Sequence, residues 1–517
     1  METTVNENSA ATCKVLAAID IGSNSIRMVT GQLLEDGSVE ILERFRKAVR
    51  LGQDTFRKKR LSRNAIRAVI TILREYQRII DLLEIEHVRV VATSSVREAV
   101  NADILIDRVL MSTGLNIEVI DPSEESRLTV TGVQIALGER AKEFTQNTLI
   151  AEVGGGSTIL TVLSKGQIVL SQSMSLGSIR LQEDTPEGDL PDSKIISSEI
   201  KNILPSIEAF TSLKKIDTFF ILGADARFAA RHAGQKVEGT DLYRIPKAGF
   251  ARLVNKICVM SADKIAEKYE IEFTEAETLN AALVVYRELV DTTKAKYITV
   301  SSASLRDGLL RDIARRASGK EDKVFATEVV NSAKAIAEKY KTDTGHCNRV
   351  RAISVRLFDE LKDEHGLGFR QRIYLEAAAL MHETGIYVSP RGFHKHSQYL
   401  VQNSEIFGLT QIEIAIVANI ARYHRRAKPK TSHIEYMTLS RENRIIVNKL
   451  ASILRMAESL DTGRDADPEH MELQLTRDSL NIYLPAGTDI ESKRRNFATE
   501  KEMFEDIYGL NAALEEK

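Results

Sequence analysis

Two short stretches of this sequence bring a single carboxylate into a turn of small residues. In the first, Ala17-Ala-Ile-Asp20-Ile-Gly22-Ser23-Asn24-Ser25, an apolar run delivers Asp20; in the second, Leu149-Ile-Ala-Glu152-Val-Gly154-Gly155-Gly156-Ser157-Thr158, it delivers Glu152. The two align without a gap, with Asp20 on Glu152, Gly22 on Gly154 and Ser25 on Ser157. Each continues into an apolar stretch, a second turn (Glu35-Asp36-Gly37, then Ser164-Lys165-Gly166) and a third strand-like run. Glycine reaches backbone conformations closed to other residues, and Ser23, Asn24, Ser25 and their counterparts keep the turn small, with N–H groups turned outward. Such turns bind anions. A carboxylate beside a bare phosphate would repel it, so the pairing makes chemical sense when a cation such as Mg²⁺ bridges the two. Two copies are an internal repeat at domain scale, and two related domains facing one another would set two phosphate turns and two carboxylates across one cleft.

Other stretches could supply the remaining chemistry. Val88 to Ala92 reads as a buried strand ending in Thr93-Ser94-Ser95-Val96-Arg97, which opens a helix. Arg97 then falls in a first helical turn, where the dipole disfavours a cation without an anionic partner, and this makes it a candidate phosphate ligand. After a strand at Ile117 to Ile120, Asp121-Pro122-Ser123-Glu124-Glu125 starts a helix expected to reach Leu137, with Ser123 as N-cap. Successive helical residues point about 100° apart, so one of Glu124 and Glu125 can face a cleft while the other meets solvent or caps the helix. Neither a Ser-His-Asp nor a Cys-His arrangement competes. The chemistry these residues suit is the holding of a phosphate group, with its charge met by a metal, backbone N–H groups and Arg.

The elements that must position these residues belong to a large chain. Its 517 residues suffice for about three or four domains. Hydrophobic residues at 43%, charged residues at 28% and a net charge of -2 describe an ordinary globular protein and exclude a globally basic nucleic-acid binder. Basic character is local, in Arg44 to Arg60, which leads into a helix over 62–83, and in Arg422 to Lys430. Cys13, Cys258 and Cys347 are odd in number and widely spaced, so neither a disulfide framework nor a zinc ribbon is indicated. Without a signal peptide or an apolar run of about 18 residues, a cytoplasmic protein is expected, a homodimer with neither nucleic acid nor membrane as partner. Strand landmarks at Phe219 to Leu222 and Tyr297 to Val300 also run into small-residue turns. From about Gly319 the pattern turns helical, and seven of the ten histidines lie between His346 and His433. From Arg464 strand-like stretches return at Met471 to Leu475 and Leu480 to Leu484, before a short final helix, which suggests a small separate lobe.

Taken together, Asp20-Ile-Gly-Ser-Asn-Ser25, Ala92-Thr-Ser-Ser-Val-Arg97-Glu-Ala99, Glu124-Glu125-Ser-Arg127, Gly154-Gly-Gly-Ser-Thr158, His382 and Tyr423-His424-Arg425 resemble the exopolyphosphatase/guanosine-pentaphosphate phosphatase (Ppx/GppA) family over nearly the whole chain. The resemblance implies an α/β protein of the actin-like ATPase superfamily. Two actin-like (ribonuclease-H-like) domains, residues 1–141 and 142–318, would flank a cleft, followed by an all-α HD-like domain, 319–463, and a small α+β lobe, 464–517. It implies Glu125 as the base that activates water, Arg97 as phosphate ligand, Asp20 and Glu152 in the region of a Mg²⁺ (or Mn²⁺) ion, and Gly22 to Ser25 with Gly154 to Thr158 as phosphate-binding turns. The implied substrate is inorganic polyphosphate, with guanosine pentaphosphate as the close alternative and a non-catalytic phosphate or nucleotide sensor as a third reading. Two positions depart from the family: Glu152 stands where Asp is usual, and Ile159 where a Glu is often found. His346, His382, Glu383, His396, His424 and Asp461 resemble the scattered ligands of an HD-type metallohydrolase, with Glu383 where that pattern has Asp, and all but His396 form the expected second site.

Overall fold

The apolar run that carries Asp20 is β1 (Val15–Ile21), buried on both faces, which is why its sequence does not alternate. The computed structural model describes residues 14–138, 147–164, 167–183, 193–208, 212–318, 321–485 and 489–516. The chain forms two compact units, Met1–Glu321 and Asp322–Lys517.

In the first unit β1 pairs antiparallel with β2 (Ser25–Leu33), which pairs with β3 (Val39–Ala48). On its other side β1 runs parallel to β4 (His87–Ala92), followed by β5 (Ile117–Val119). A second sheet of seven strands comprises β6 (Thr148–Val153), β7 (Thr158–Ser164), β8 (Gln167–Met174), β9 (Thr218–Leu222), β10 (Gln235–Lys236), β11 (Leu242–Pro246) and β12 (Tyr297–Ser301), ordered β10-β11-β12-β9-β6-β7-β8. The sequence repeat is a structural one. Gly22 N donates to Ser25 O at 3.1 Å, and Gly154 N to Ser157 O at 2.9 Å. Asp20 faces Arg27 across the first hairpin as Glu152 faces Ile159 across the second. The turn at Lys165 and Gly166 lies outside the described residues.

Strand parity decides where Asp20 points. Ala17, Ile19 and Ile21 pack with the helices Arg63–Leu82 and Ala102–Thr113, whereas Leu16 and Ala18 face the opposite side, where Leu305, Leu309 and Ile313 cover the sheet. Asp20 shares the parity of the latter and ends that face. The helix Leu305–Ala317 follows β12 in the chain yet packs on the first sheet, so the domain expected at 142–318 gives its last helix back to its neighbour. The expected boundary at 141/142 itself lies outside the described residues, as do Gly319 and Lys320.

The helix Pro122–Leu137 serves both sheets: Leu128 joins Leu16 and Val29, while Val130, Val133 and Leu137 join Ile150 and Phe220. Its N-cap is Asp121, whose Oδ1 accepts from Glu124 N at 2.9 Å, and not Ser123. Pro122 suits the first helical position because it lacks an N–H and holds a helical φ, and this moves the cap one residue ahead of it. The two crossing helices touch at Gly308, where an added Cβ would stand 1.9 Å from Leu128 O.

The second unit gathers the helices Thr344–Glu360, Phe369–Met381, Phe393–Gln402, Gln411–Arg422 and Arg441–Leu460 around one core. The C-terminal segment is not a separate lobe. Its sheet, β13 (Glu472–Leu475), β14 (Ser479–Leu484) and β15 (Asn511–Glu516), contributes Leu480, Ile482 and Leu514 to that same core. The sheet buries its apolar face against the helices. Among the described residues, no helix is long and apolar enough to cross a membrane.

Candidate functional site

The two glycine turns of the first unit meet: a Cβ on Gly155 would lie 2.9 Å from the Ser23 Cβ. They bound a cleft of about 150 Å³. Asp20, Gly22 to Ser25, Glu125, Glu152, Gly154, Gly155 and Ser157 all line it, so the structure brings together most of the residues expected there. Asp20 Oδ2 accepts from Arg306 Nη1 at 2.9 Å, and Glu152 Oε2 accepts from Thr129 Oγ1 at 3.0 Å. Burial pushes Glu125 up to about 8, and the nearby Glu152 and Asp20 add to this against the pull of Arg97. Burial and Asp20 likewise raise Glu152.

Three of the expected ligands are placed differently. Arg97 ends the single-turn helix Ser94–Arg97 and so is not in the first turn of a longer one, and the dipole argument does not apply to it. Its Nη1 donates to Ile120 O at 2.6 Å and stands 3.5 Å from Glu125 Oε2, so it steadies the Glu125 carboxyl and does not line the cleft. Gly156 backs onto Phe56 and Ser94. Thr158 is completely buried with its hydroxyl donating to Leu176 O at 2.6 Å, which commits that side chain to the fold.

Glu124 is neither exposed nor capping. It takes Arg127 Nε at 2.8 Å and Nη2 at 3.0 Å, with Arg89 at 3.4 Å, and Arg127 and Arg89 both reach Asp312. Removing one member of a buried charge network leaves the others uncompensated, so Glu124→Gln is expected to lower the unfolding free energy by about 3 kcal/mol, well beyond a helix-terminus effect. Urea unfolding of the variant against the parent chain measures this.

The sequence reading missed the cations of the cleft. Arg27, Arg46, Arg227 and Arg306 all line it. Arg46 is bound to Glu275 at 2.5 Å and Arg306 to Asp20. Neither Arg27 nor Arg227 has a hydrogen bond or ion pair among the described residues. Burial and Arg306 press Arg27 down to about 10 despite Asp20, and burial and Arg306 lower Arg227 as well. Arg27 was findable from the repeat, as the counterpart of Ile159 and cross-strand partner of Asp20.

The carboxylates could hold a hard dication. Among the described residues, the one set of metal-ligand atoms within 4.8 Å of one another lies in the second unit, so Asp20, Glu125 and Glu152 form no closed cage. Mg²⁺ commonly takes one or two carboxylates and fills its shell with phosphate oxygens and water. A dication would also offset the repulsion from Asp20 that adds to burial in raising Glu125 and Glu152.

The set in the second unit contains His346, His382, Glu383 and Glu458. Asp343 caps the helix that carries His346, accepting from its N–H at 3.0 Å. His382 directly follows the helix ending at Met381, His424 stands two residues past the helix ending at Arg422, and each turns Nδ1 back to a carbonyl three residues earlier, Ala379 O at 2.7 Å and Ala421 O at 2.5 Å. His346 Nδ1 meets Asp461 Oδ2 at 2.7 Å. His346 Nε2 and His382 Nε2 each lie 3.0 Å from Glu458 Oε2. Burial opposes protonation of His346, yet its bonds to Asp461 and Glu458 hold it at about 9. His424, wholly buried beside His382, is pressed down to about 3 and is neutral. Asp461 stands behind His346, and Glu458 takes the central place that was expected for it. His396 is outside the cluster.

Residues 32–317 match the Ppx/GppA phosphatase family, and residues 330–500 match the Ppx/GppA phosphatase, domain III. The guanosine-5'-triphosphate,3'-diphosphate pyrophosphatase of Vibrio vulnificus (strain YJ016) is 25% identical over 488 residues, 93% of each chain. An exopolyphosphatase from Cytophaga hutchinsonii has a similar crystal structure, with a TM-score of 0.53 at 22% identity, covering 59% of this chain and 98% of that one. An exopolyphosphatase-like protein gives 0.50 at 22%, covering 59% and 99%. The two structures share the fold of the 59% of this chain that they cover. The two family matches take up most of its length, and the chain therefore belongs to the Ppx/GppA phosphatase family, with that family's actin-like α/β core and a C-terminal helical domain.

Proposed function

We propose that the protein hydrolyses the terminal phosphoanhydride of inorganic polyphosphate, processively and with Mg²⁺ or Mn²⁺. The observation that carries this reading is the cleft's pair of arginines without a hydrogen bond or ion pair among the described residues, Arg27 and Arg227, beside two glycine turns and a largely buried glutamate. A second cavity of about 170 Å³ continues from the first and shares Arg27, Arg46, Arg227 and Arg306 with it, which suits a chain of phosphates longer than one residue. The turn N–H groups would hold the terminal phosphate, and Arg27 and Arg227 would meet the charge that spreads over its equatorial oxygens. Glu125 would take the proton of the attacking water, steadied by Arg97. A metal ion bound through Asp20 and Glu152 would neutralise charge on the phosphate chain.

Guanosine pentaphosphate is the second reading. It is favoured by the relative of nearly equal length named for that substrate class and by Phe45 and Met28 in the second cavity, where a base could stack. Orthophosphate release from the two substrates at equal concentration separates the readings: the higher kcat/KM is expected with polyphosphate, and a higher value with guanosine pentaphosphate reverses the assignment. No release from either with Mg²⁺ or Mn²⁺ overturns both. Ile159 lies across the strand pair from Glu152, where a carboxylate would add a ligand. Tight polyphosphate binding without turnover, together with turnover gained by Ile159→Glu, would favour the sensor.

A further inference from the structure

We propose that the second unit holds a borderline transition-metal ion, of the class of Zn²⁺, Mn²⁺ or Fe²⁺, through the Nε2 atoms of His346 and His382 and the carboxylates of Glu383 and Glu458, with His424 at its edge. This site is independent of the cleft of the first unit and of the reaction assigned there.

The tautomers support it. Each of the three imidazoles spends its Nδ1–H on a fixed acceptor: Asp461 for His346, Ala379 O for His382 and Ala421 O for His424. Each therefore offers Nε2 as a donor atom, the arrangement by which an outer partner fixes a metal-binding histidine. His346 Nε2 and His382 Nε2 both stand 3.0 Å from Glu458 Oε2, and Glu383 Oε1 lies 3.9 Å from His346 Nε2. These spacings are close to the edges of a coordination polyhedron with bonds of about 2.0–2.1 Å.

An ion-pair cluster alone would leave one atom unexplained. His424 Nε2 is buried without a hydrogen-bond partner, its ring centroid 4.9 Å from that of His382, and the side chain is 0% exposed. A buried acceptor of this kind costs free energy unless something binds it. His424, His346, Glu383 and Glu458 line one cavity of about 290 Å³, so an ion there could be reached from solvent and could keep an open position. Arg464 bonds Glu383 at 3.1 Å and lines the same cavity, as does Arg425, so the open position faces cations. An anionic ligand would suit it.

Asp461 acts from behind. Its oxygens take His346 Nδ1, Arg349 Nε at 3.0 Å and Ala466 N at 2.9 Å, leaving it a positioning residue. Two imidazoles in the donor set, with a third ring beside them, favour Zn²⁺ or Fe²⁺ over Mg²⁺.

The test uses the full chain, stripped with chelator, titrated with Co²⁺ as a visible probe and reconstituted separately with Zn²⁺, Mn²⁺ and Fe²⁺ before desalting and elemental analysis. About one ion per chain is expected, with Co²⁺ d–d absorption of a site rich in nitrogen. Asp20→Asn is expected to keep this ion, which assigns it to the second unit. His382→Gln and Glu458→Gln are expected to lose it, and Asp461→Asn to weaken it about 10–100-fold. A stripped wild-type chain that develops no Co²⁺ band and retains no ion overturns the proposal, whether or not the variants fold. Equal Co²⁺ affinity in folded His382→Gln and wild type also overturns it.

Discussion

Glu125→Gln is expected to lower the turnover number by a factor on the order of 10²–10⁴ with little change in substrate affinity, and to make the protein more stable. Gln keeps the shape of Glu but cannot accept the proton of the attacking water. The stability gain follows from the environment of the carboxyl group. Its pKa stands at about 8, against 4.5 for a free Glu, because burial and the neighbouring Glu152 and Asp20 disfavour its charge more than Arg97 favours it. Below pH 4.5 the group is protonated whether the chain is folded or not, and it contributes nothing. Between 4.5 and about 8 the unfolded chain has released a proton that the folded chain retains, so the unfolding free energy falls as pH rises. Above about 8 the whole penalty is present. Thermal unfolding in chelator should therefore show the variant level with the parent near pH 4 and ahead by on the order of 1–3 kcal/mol at pH 8. The parent's kcat/KM should rise with pH along the same titration, and a dication beside Asp20 and Glu152 should draw that limb to lower pH. A variant of unchanged turnover, or one no more stable at pH 8, would remove Glu125 from the role of base.

The sequence made the hairpins legible because their chemistry is local. A glycine turn after an apolar run places Asp20, and parity does the rest. The duplication was legible for the same reason, down to the same N–H to carbonyl bond in both turns. What escaped was set by distant partners. Glu124 pairs with Arg127 three residues away, which a motif can suggest, but its burial depends on Arg89 and on Asp312, far along the chain in a helix that crosses back to the first sheet. Arg97 was assigned to a longer helix. That helix stops after one turn, and Asn101 just beyond bonds Leu61 through both its amide groups, at 2.9 and 3.1 Å. In the second unit the histidines stood out by type, whereas Glu458 was one acidic residue among several in an amphipathic helix and acquires meaning only where helix ends converge. The C-terminal strands were found in part. Their lack of a core of their own was not, because a shared core leaves no mark on local periodicity.

Arg27→Met is expected to lower kcat/KM by about 10²–10³, in the range for a lost donor to transition-state charge, and to raise stability. A cation held in a largely buried place without a protein partner is costly, and burial with Arg306 lowers the Arg27 pKa to about 10 from 12.5. Methionine has a comparable stem and no charge, so the folded state should gain on the order of 1–3 kcal/mol at neutral pH. The opposite signs are the point of the experiment. A residue retained for packing would lose stability on replacement, whereas one retained for an anion loses binding. Pyrophosphate supplies a direct probe: it should raise the unfolding temperature of the parent by mass action and that of Arg27→Met far less. Arg27→Lys should recover part of the binding and less of the rate, because an ammonium restores the charge without the two-pronged geometry. If Arg27→Met unfolds earlier than the parent and still responds to pyrophosphate as the parent does, Arg27 is a structural residue and the anion is held by the turns and Arg227 alone.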